Sequence, residues 1–197
     1  MKQEIIYNDE KYYVIFNVRN KTALSLSIVD ETFLSVTEEI YNGVLNIFIN
    51  KLDFDNMNGD EILSWIKNMK PKNEEDRKSS KGCAACIKIC EYYLKRDNCT
   101  RADELKIMAI YLSCLRKLGF SQKAYDYFHD VIKHIGLISN ATVLTSMAAT
   151  CCDLNKYEEA LKYANAAYAQ QSGGVGYTNE LALVYNRIRK ESGISQI

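Results

Sequence analysis

The 197-residue chain has one proline, one tryptophan and two histidines, and no net charge: 25 Lys and Arg balance 25 Asp and Glu. Without a charge excess there is no general pull toward nucleic acid or anionic lipid. No apolar run approaches the 18 or so residues that a membrane-spanning helix needs. The opening "MKQEIIYNDEK" is too polar for a secretory leader. Seven cysteines without such a leader are therefore expected to be reduced thiols in a cytosolic protein. The sequons at Asn20, Asn98 and Asn140 would then be fortuitous.

What is present is 47% apolar residues, enough for a real core. "QEIIY", "KYYVIFNV" and "ALSLSIV" alternate or carry β-formers, and Asn8, Asp9 and Glu10 suit a hairpin turn between the first two. They predict a three-stranded antiparallel meander. Asp30 is placed to cap a helix over about 31–52, with Phe33, Leu34, Val36 and Ile40 on its apolar side. Asp60 is placed to cap a second, short helix that stops before Pro71.

The stretch 71–81 has no large apolar side chain and carries a mixed charge run, so it is the expected linker between an N-terminal α+β segment, 1–70, and a helical domain, 82–197. Beyond it the apolar spacing predicts helices near 82–96, 101–118, 120–135, 139–153, 156–170 and 177–191. Thr100 and Asp103 form a capping-box pattern at one start, and Gly136 and Gly173–Gly174 punctuate later ends. The fold class expected is mainly α, α+β overall.

Cys83, Cys86 and Cys90 raise the question of a metal. On a helical wheel they share a face with Ile87, Tyr93 and Leu94, opposite Lys88, Glu91 and Lys95, so they read as the packed side of an amphipathic helix. A zinc site wants four converging ligands, and no histidine occurs before His129. "DFDNMNGDE" fails as a calcium loop, because Met57 and Asn58 fall where an oxygen ligand and a glycine belong. "GGVG" at 173–176 lacks the lysine of a phosphate loop. His129 and His134 lie about 140° apart on one helix, and Asp130–His134 reads as an exposed polar pair. No motif marks a nucleophile, and neither cofactor nor metal is expected.

One internal repeat stands out. The stretch from Leu105 matches the stretch from Ala141, 36 residues further on. Met108, Tyr111, Leu112 and Leu115 fall on Leu144, Met147, Ala148 and Cys151; Gly119 falls on Asn155; Ala124, Phe128 and Val131 fall on Ala160, Ala164 and Ala167. Together with the Ala124-x3-Phe128 element and "DLNKYEEALKYANAAYA", this resembles the tetratricopeptide repeat family over about 105–191. The family's tryptophan and closing proline are absent, and its unit is roughly 34 residues. The resemblance implies stacked helix pairs, a final helix from Tyr177 covering the last pair, and Cys86, Cys90 and Tyr93 in a degenerate earlier repeat. It also implies a groove lined by the first helix of each pair, with Lys106, Ala109, Ser113, Arg116 and Lys117, then Thr142, Thr145, Ala149 and Cys152, then Thr178, Leu181, Tyr185 and Arg189.

The expected function is accordingly that of a non-enzymatic adaptor holding a protein or peptide partner, with no membrane. Two alternatives stay open: a nucleic-acid-binding or nucleoprotein-inhibiting protein using Lys106, Arg116, Lys117 and the linker lysines, and a thiol or metal sensor built on Cys83, Cys86 and Cys90.

Overall fold

The computed structural model describes residues 1–70, 79–135, 140–170 and 179–193. It divides into two compact units, Met1–Ile107 and Met108–Ile197. The class is mainly α with a small antiparallel sheet at the N-terminus. Among the described residues no helix is long and apolar enough to cross a membrane.

The first unit opens with β1 (Lys2–Tyr7), β2 (Glu10–Arg19) and β3 (Thr22–Val29), an antiparallel sheet in that order. Both turns have two residues, and all four (Asn8, Asp9, Asn20, Lys21) have positive φ between 49° and 63°. That is the mirror-image turn whose twist matches paired strands, and it favours Asn and Asp. Alternation then points Ile5, Tyr12, Val14, Phe16 and Ile28 to one buried face. Against this face lie α1 (Glu38–Ile49) and α2 (Gly59–Met69), with Phe16, Phe48 and Trp65 in mutual ring contact at 5.2–6.0 Å. Helix α2 also hydrogen-bonds the sheet. Trp65 Nε1 donates to the Lys21 carbonyl at 3.0 Å, Asn68 Nδ2 donates to Ala23 O at 2.9 Å, and Ser64 Oγ accepts from Ala23 N at 2.9 Å.

Two expected caps are corrected. Asp30 caps no helix: its carboxylate accepts from Thr32 N, Thr32 Oγ1 and Leu34 N, closing a local loop. Phe33 sits there with φ 62° and stacks on Tyr13, so Phe33 and Leu34 are exposed and α1 starts only after its cap Thr37. Likewise the cap of α2 is Asn58, in a reciprocal capping box with Glu61, and Asp60 lies inside the first turn.

The expected boundary at 71–81 is also displaced. Helix α3 (Cys83–Leu94) packs on α1 and α2 and so belongs to the first unit. Cys86 Sγ lies 3.4 Å from the Ile66 carbonyl, and Gly82 N donates to Asn42 Oδ1 at 2.8 Å. Cys86 therefore packs toward α2, and a cut near Ser79 would strip α3 of its partners on α1 and α2. Its buried side is Cys83, Ala85, Cys86, Ile89, Cys90 and Tyr93, rotated slightly from the expected one because Ile87 and Leu94 are only half-buried. The segment 71–78, Gly136 and Gly173–Gly174 lie outside the described residues.

Helix α4 (Arg101–Lys117) follows. Thr100 Oγ1 accepts from Asp103 N, and the Asp103 carboxylate in return takes the backbone N–H and the hydroxyl of Thr100, so the expected capping box is present, with Tyr93 OH as a further donor to Asp103.

The second unit contains the end of α4, then α5 (Ser121–Ile135), α6 (Ala141–Asp153), α7 (Tyr157–Ala169) and α8 (Asn179–Ser192). Helix α6 packs on α5, α7 and α8, and α8 also packs on α7. The seven side-chain slots of the 36-residue repeat, Met108/Leu144, Tyr111/Met147, Leu112/Ala148, Leu115/Cys151, Ala124/Ala160, Phe128/Ala164 and Val131/Ala167, are buried in both copies, and the turn pair Gly119/Asn155 is exposed. The two helix-reversing turns match as well. Gly119 and Asn155 both take left-handed backbone, φ 82° and 58°. Each is followed by an amide reaching five residues back, Phe120 N to Leu115 O at 2.8 Å and Lys156 N to Cys151 O at 2.9 Å. This is the Schellman closure, which a glycine or asparagine permits. Alanines 124, 160, 164 and 167 are fully buried, which lets these helices approach closely.

Candidate functional site

In the second unit, chemistry concentrates at the end where α6 stops and α5 and α7 start. Asp153, the last residue of α6, receives Arg116 from α4 in a fork, Nε to Oδ2 at 2.6 Å and Nη2 to Oδ1 at 3.3 Å. Ser121 Oγ donates to the same carboxylate at 3.1 Å, and Arg187 of α8 pairs with Oδ1. Arg187 also reaches Glu191 at 2.9 Å, and Glu191 accepts from Tyr157. The Asp153 and Arg116 side chains are only 21% and 23% exposed. Burial alone would raise the Asp153 carboxyl; the hydrogen bonds and charges of Arg116 and Arg187 outweigh it and hold the group below the ordinary carboxylate value of 3.8.

A second cluster surrounds Glu159 on α7. Tyr125 OH donates to it at 3.0 Å, and His129 Nε2 lies 3.1 Å from its other oxygen without hydrogen-bond geometry. The His129 ring packs on Tyr125 at 4.2 Å and near Tyr163 at 6.4 Å. Burial, then Glu159, pushes both tyrosine hydroxyls up, so they stay protonated donors at neutral pH. A shallow surface hollow of about 920 Å³ lies beside this cluster, with Lys156, Glu158, Glu159, Lys162 and Glu191 on its lining. Its mixed charge favours no single ligand class. The pattern of residues pointed to neither Asp153 nor Glu159, because their partners lie 30 or more positions away on other helices. The His134 side chain is outside the described residues.

The expected groove is partly dismantled. Thr145 is buried and hydrogen-bonds the Ala141 carbonyl within its own helix. Ala149, Cys152 and Leu181 are buried. Tyr185 is 8% exposed, and its hydroxyl donates to Asn165 at 2.7 Å. These residues pack inside the unit because α6 has a neighbour on three sides. Arg116 is committed to Asp153. Lys106 falls in the first unit, where Asp60 accepts from it at 2.7 Å. Thr178 lies outside the described residues. Ser113 and Lys117 are half-buried, and Thr142 and Arg189 are exposed.

Cys83, Cys86 and Cys90 are fully buried, as are Cys114, Cys151 and Cys152; only Cys99 is partly exposed. Burial pushes the Cys151 and Cys152 thiols up, to about 12 and about 11. Among the described residues no three His, Cys, Asp or Glu side chains are grouped as a metal site. Iodoacetamide should therefore modify one thiol, Cys99, in the native protein and all seven in urea, read by intact mass. Partial burial, then the nearby Glu104 and Asp103, raises the Cys99 thiol, so its labelling should quicken as pH rises. Rapid native labelling at Cys86 or Cys90 would refute the packed-thiol reading.

No family model, no curated protein and no solved structure matches the chain.

Proposed function

We propose that the chain is a non-enzymatic adaptor whose helical unit, 108–193, is a tetratricopeptide-like array that holds a protein or peptide partner. The observation that carries this reading is the matched pair of Schellman turns at Gly119 and Asn155, spaced by the repeat and flanked by the same buried slots. Helix α8, resting on both α6 and α7, has the position of a covering terminal helix. Arrays of this kind commonly serve as scaffolds, and that step is one of fold analogy.

The surface offered is smaller than the full groove. It consists of the groove positions that keep some exposure: the half-buried Ser113 and Lys117 on α4, and the exposed Thr142 on α6 and Arg189 on α8. Two bases among hydroxyls suit an acidic partner segment. The nucleic-acid alternative is weaker, because Lys106 and Arg116 are already matched to Asp60 and Asp153. The thiol-sensor alternative is weaker because the three cysteines of α3 are enclosed.

Affinity capture from source cells, followed by lysine-directed crosslinking and mass spectrometry, tests the proposal. Crosslinks from a captured protein to Lys117, or to the exposed Lys190 next to Arg189 on α8, are expected. The double variant Lys117→Glu, Arg189→Glu should reduce capture about tenfold or more while shifting the melt only slightly, as surface changes do. Nuclease-sensitive capture, or crosslinks confined to the sheet, would overturn it.

A further inference from the structure

In the first unit, the loop after α1 and the outer side of α3 enclose a hollow of about 280 Å³. Leu52, Phe54 and Ile89 give it an apolar wall, and Tyr92, 40% exposed, stands on its lining. This is near the lower edge of ligand pockets, roughly 300 Å³, and suits one side chain better than an organic cofactor.

The loop forming one wall is pinned. Arg96 donates to three of its carbonyls, Phe54 and Met57 at 3.0 Å and Asp55 at 3.1 Å. Lys21 Nζ donates to Asn56 O at 2.7 Å, and Asn56 Nδ2 donates to Asp53 Oδ2 at 2.6 Å. A wall held in place this way loses little freedom on binding. Two carboxylates, Asp53 and Asp55, also line the hollow. Their side-chain partners are neutral, Asn56 and the Tyr92 hydroxyl, and neither carboxylate joins an ion pair among the described residues. The one base on the lining, Lys88, donates to Asn50 Oδ1 at 2.8 Å. The hollow thus combines an apolar interior with two carboxylates against one lining ammonium, a net negative charge.

We propose that this hollow is a docking pocket for a partner peptide in which a leucine-sized apolar side chain is flanked by Lys or Arg. The apolar side chain fills the space beside Ile89 and Phe54, and the flanking cations pair with Asp53 and Asp55. The pocket is independent of the helical surface proposed above, and either can fail without the other.

The test is a titration of the full-length, nitrogen-15-labelled protein with three blocked tripeptides: acetyl-Arg-Leu-Arg-amide, acetyl-Glu-Leu-Glu-amide and acetyl-Arg-Ser-Arg-amide. The first should shift the amides of 52–55 and 89–92, and the other two should bind about tenfold more weakly or worse. The variant Asp53→Asn, Asp55→Asn, both positions being exposed, should keep its melt and lose about tenfold in affinity for the first peptide. As a second variant, Arg96→Lys, which keeps the positive charge beside the loop but cannot make the same fan of carbonyl hydrogen bonds, should weaken binding by loosening the wall. Equal binding of the acidic or the serine peptide, shifts that map elsewhere, or full affinity in the Asp53→Asn, Asp55→Asn variant would each overturn the proposal.

Discussion

Replacing Asp153 by alanine is expected to destabilise the helical unit by about 3 kcal/mol or more, the range seen when one partner of a buried ion pair is removed. Arg116 and Arg187 would be left partly buried without their counter-charge, and Ser121 would lose its acceptor. For a unit of this size that corresponds to a fall of roughly 10–20 °C in the helical melt. The pH dependence follows from the direction of the shift. The folded state holds the Asp153 carboxyl below its ordinary value of 3.8, so the unfolded chain takes up the proton first. The stabilisation is complete above that ordinary value and disappears as pH falls through the lower folded value. Asp153→Ala should therefore narrow its deficit as the pH drops toward about 3. A deficit below about 1 kcal/mol at pH 7 would mean that the network is a solvated surface pairing.

A second large effect is expected for Gly82→Ala, where α3 begins. Gly82 has φ 74°, and a Cβ there would lie 2.1 Å from the Met69 carbonyl oxygen. That oxygen is not free to retreat, because it also accepts from Tyr41 OH at 2.9 Å. Left-handed strain and a backbone clash add, and a loss of about 3 kcal/mol or more is expected for the first unit. Gly119→Ala is the control. Its φ is 82° but nothing lies within 4 Å of the added carbon, so only the backbone strain of about 1 kcal/mol applies. Fluorescence of the sole tryptophan, Trp65, which is buried in the first unit, reads the Gly82→Ala transition directly. Similar losses for the two variants would show that the contact with Met69 relaxes freely.

Much of the fold is legible in the chain wherever the deciding interaction is local. The strands follow from alternation and from Asn- and Asp-rich turns, and helix ends fall within a few residues of where the apolar period stops. The repeat is visible because its two copies meet the same packing demand at the same slots. Local pattern failed at 30–36, where Phe33 and Leu34 imitate a helical face but the Asp30 side chain has bonded its own loop. It failed again at α3, whose amphipathic face says that it packs but not on what; the helices it meets lie on the far side of the charged segment. The resemblance names positions for a groove, yet which of those positions are open to solvent depends on the neighbours of α6, which no local pattern specifies. The ion pairs of Asp153 span 34 and 37 positions, a separation at which no sequence pattern constrains charge.

The distribution of sulfur has a further consequence. Cys83, Cys86 and Cys90 are enclosed in the first unit, and Cys114, Cys151 and Cys152 in the second. Each set can meet a reagent in solution only when its own surroundings open, so the thiols act as two natural clocks in one molecule. Alkylation followed residue by residue over time, with no label engineered into the chain, would count the openings of each unit separately.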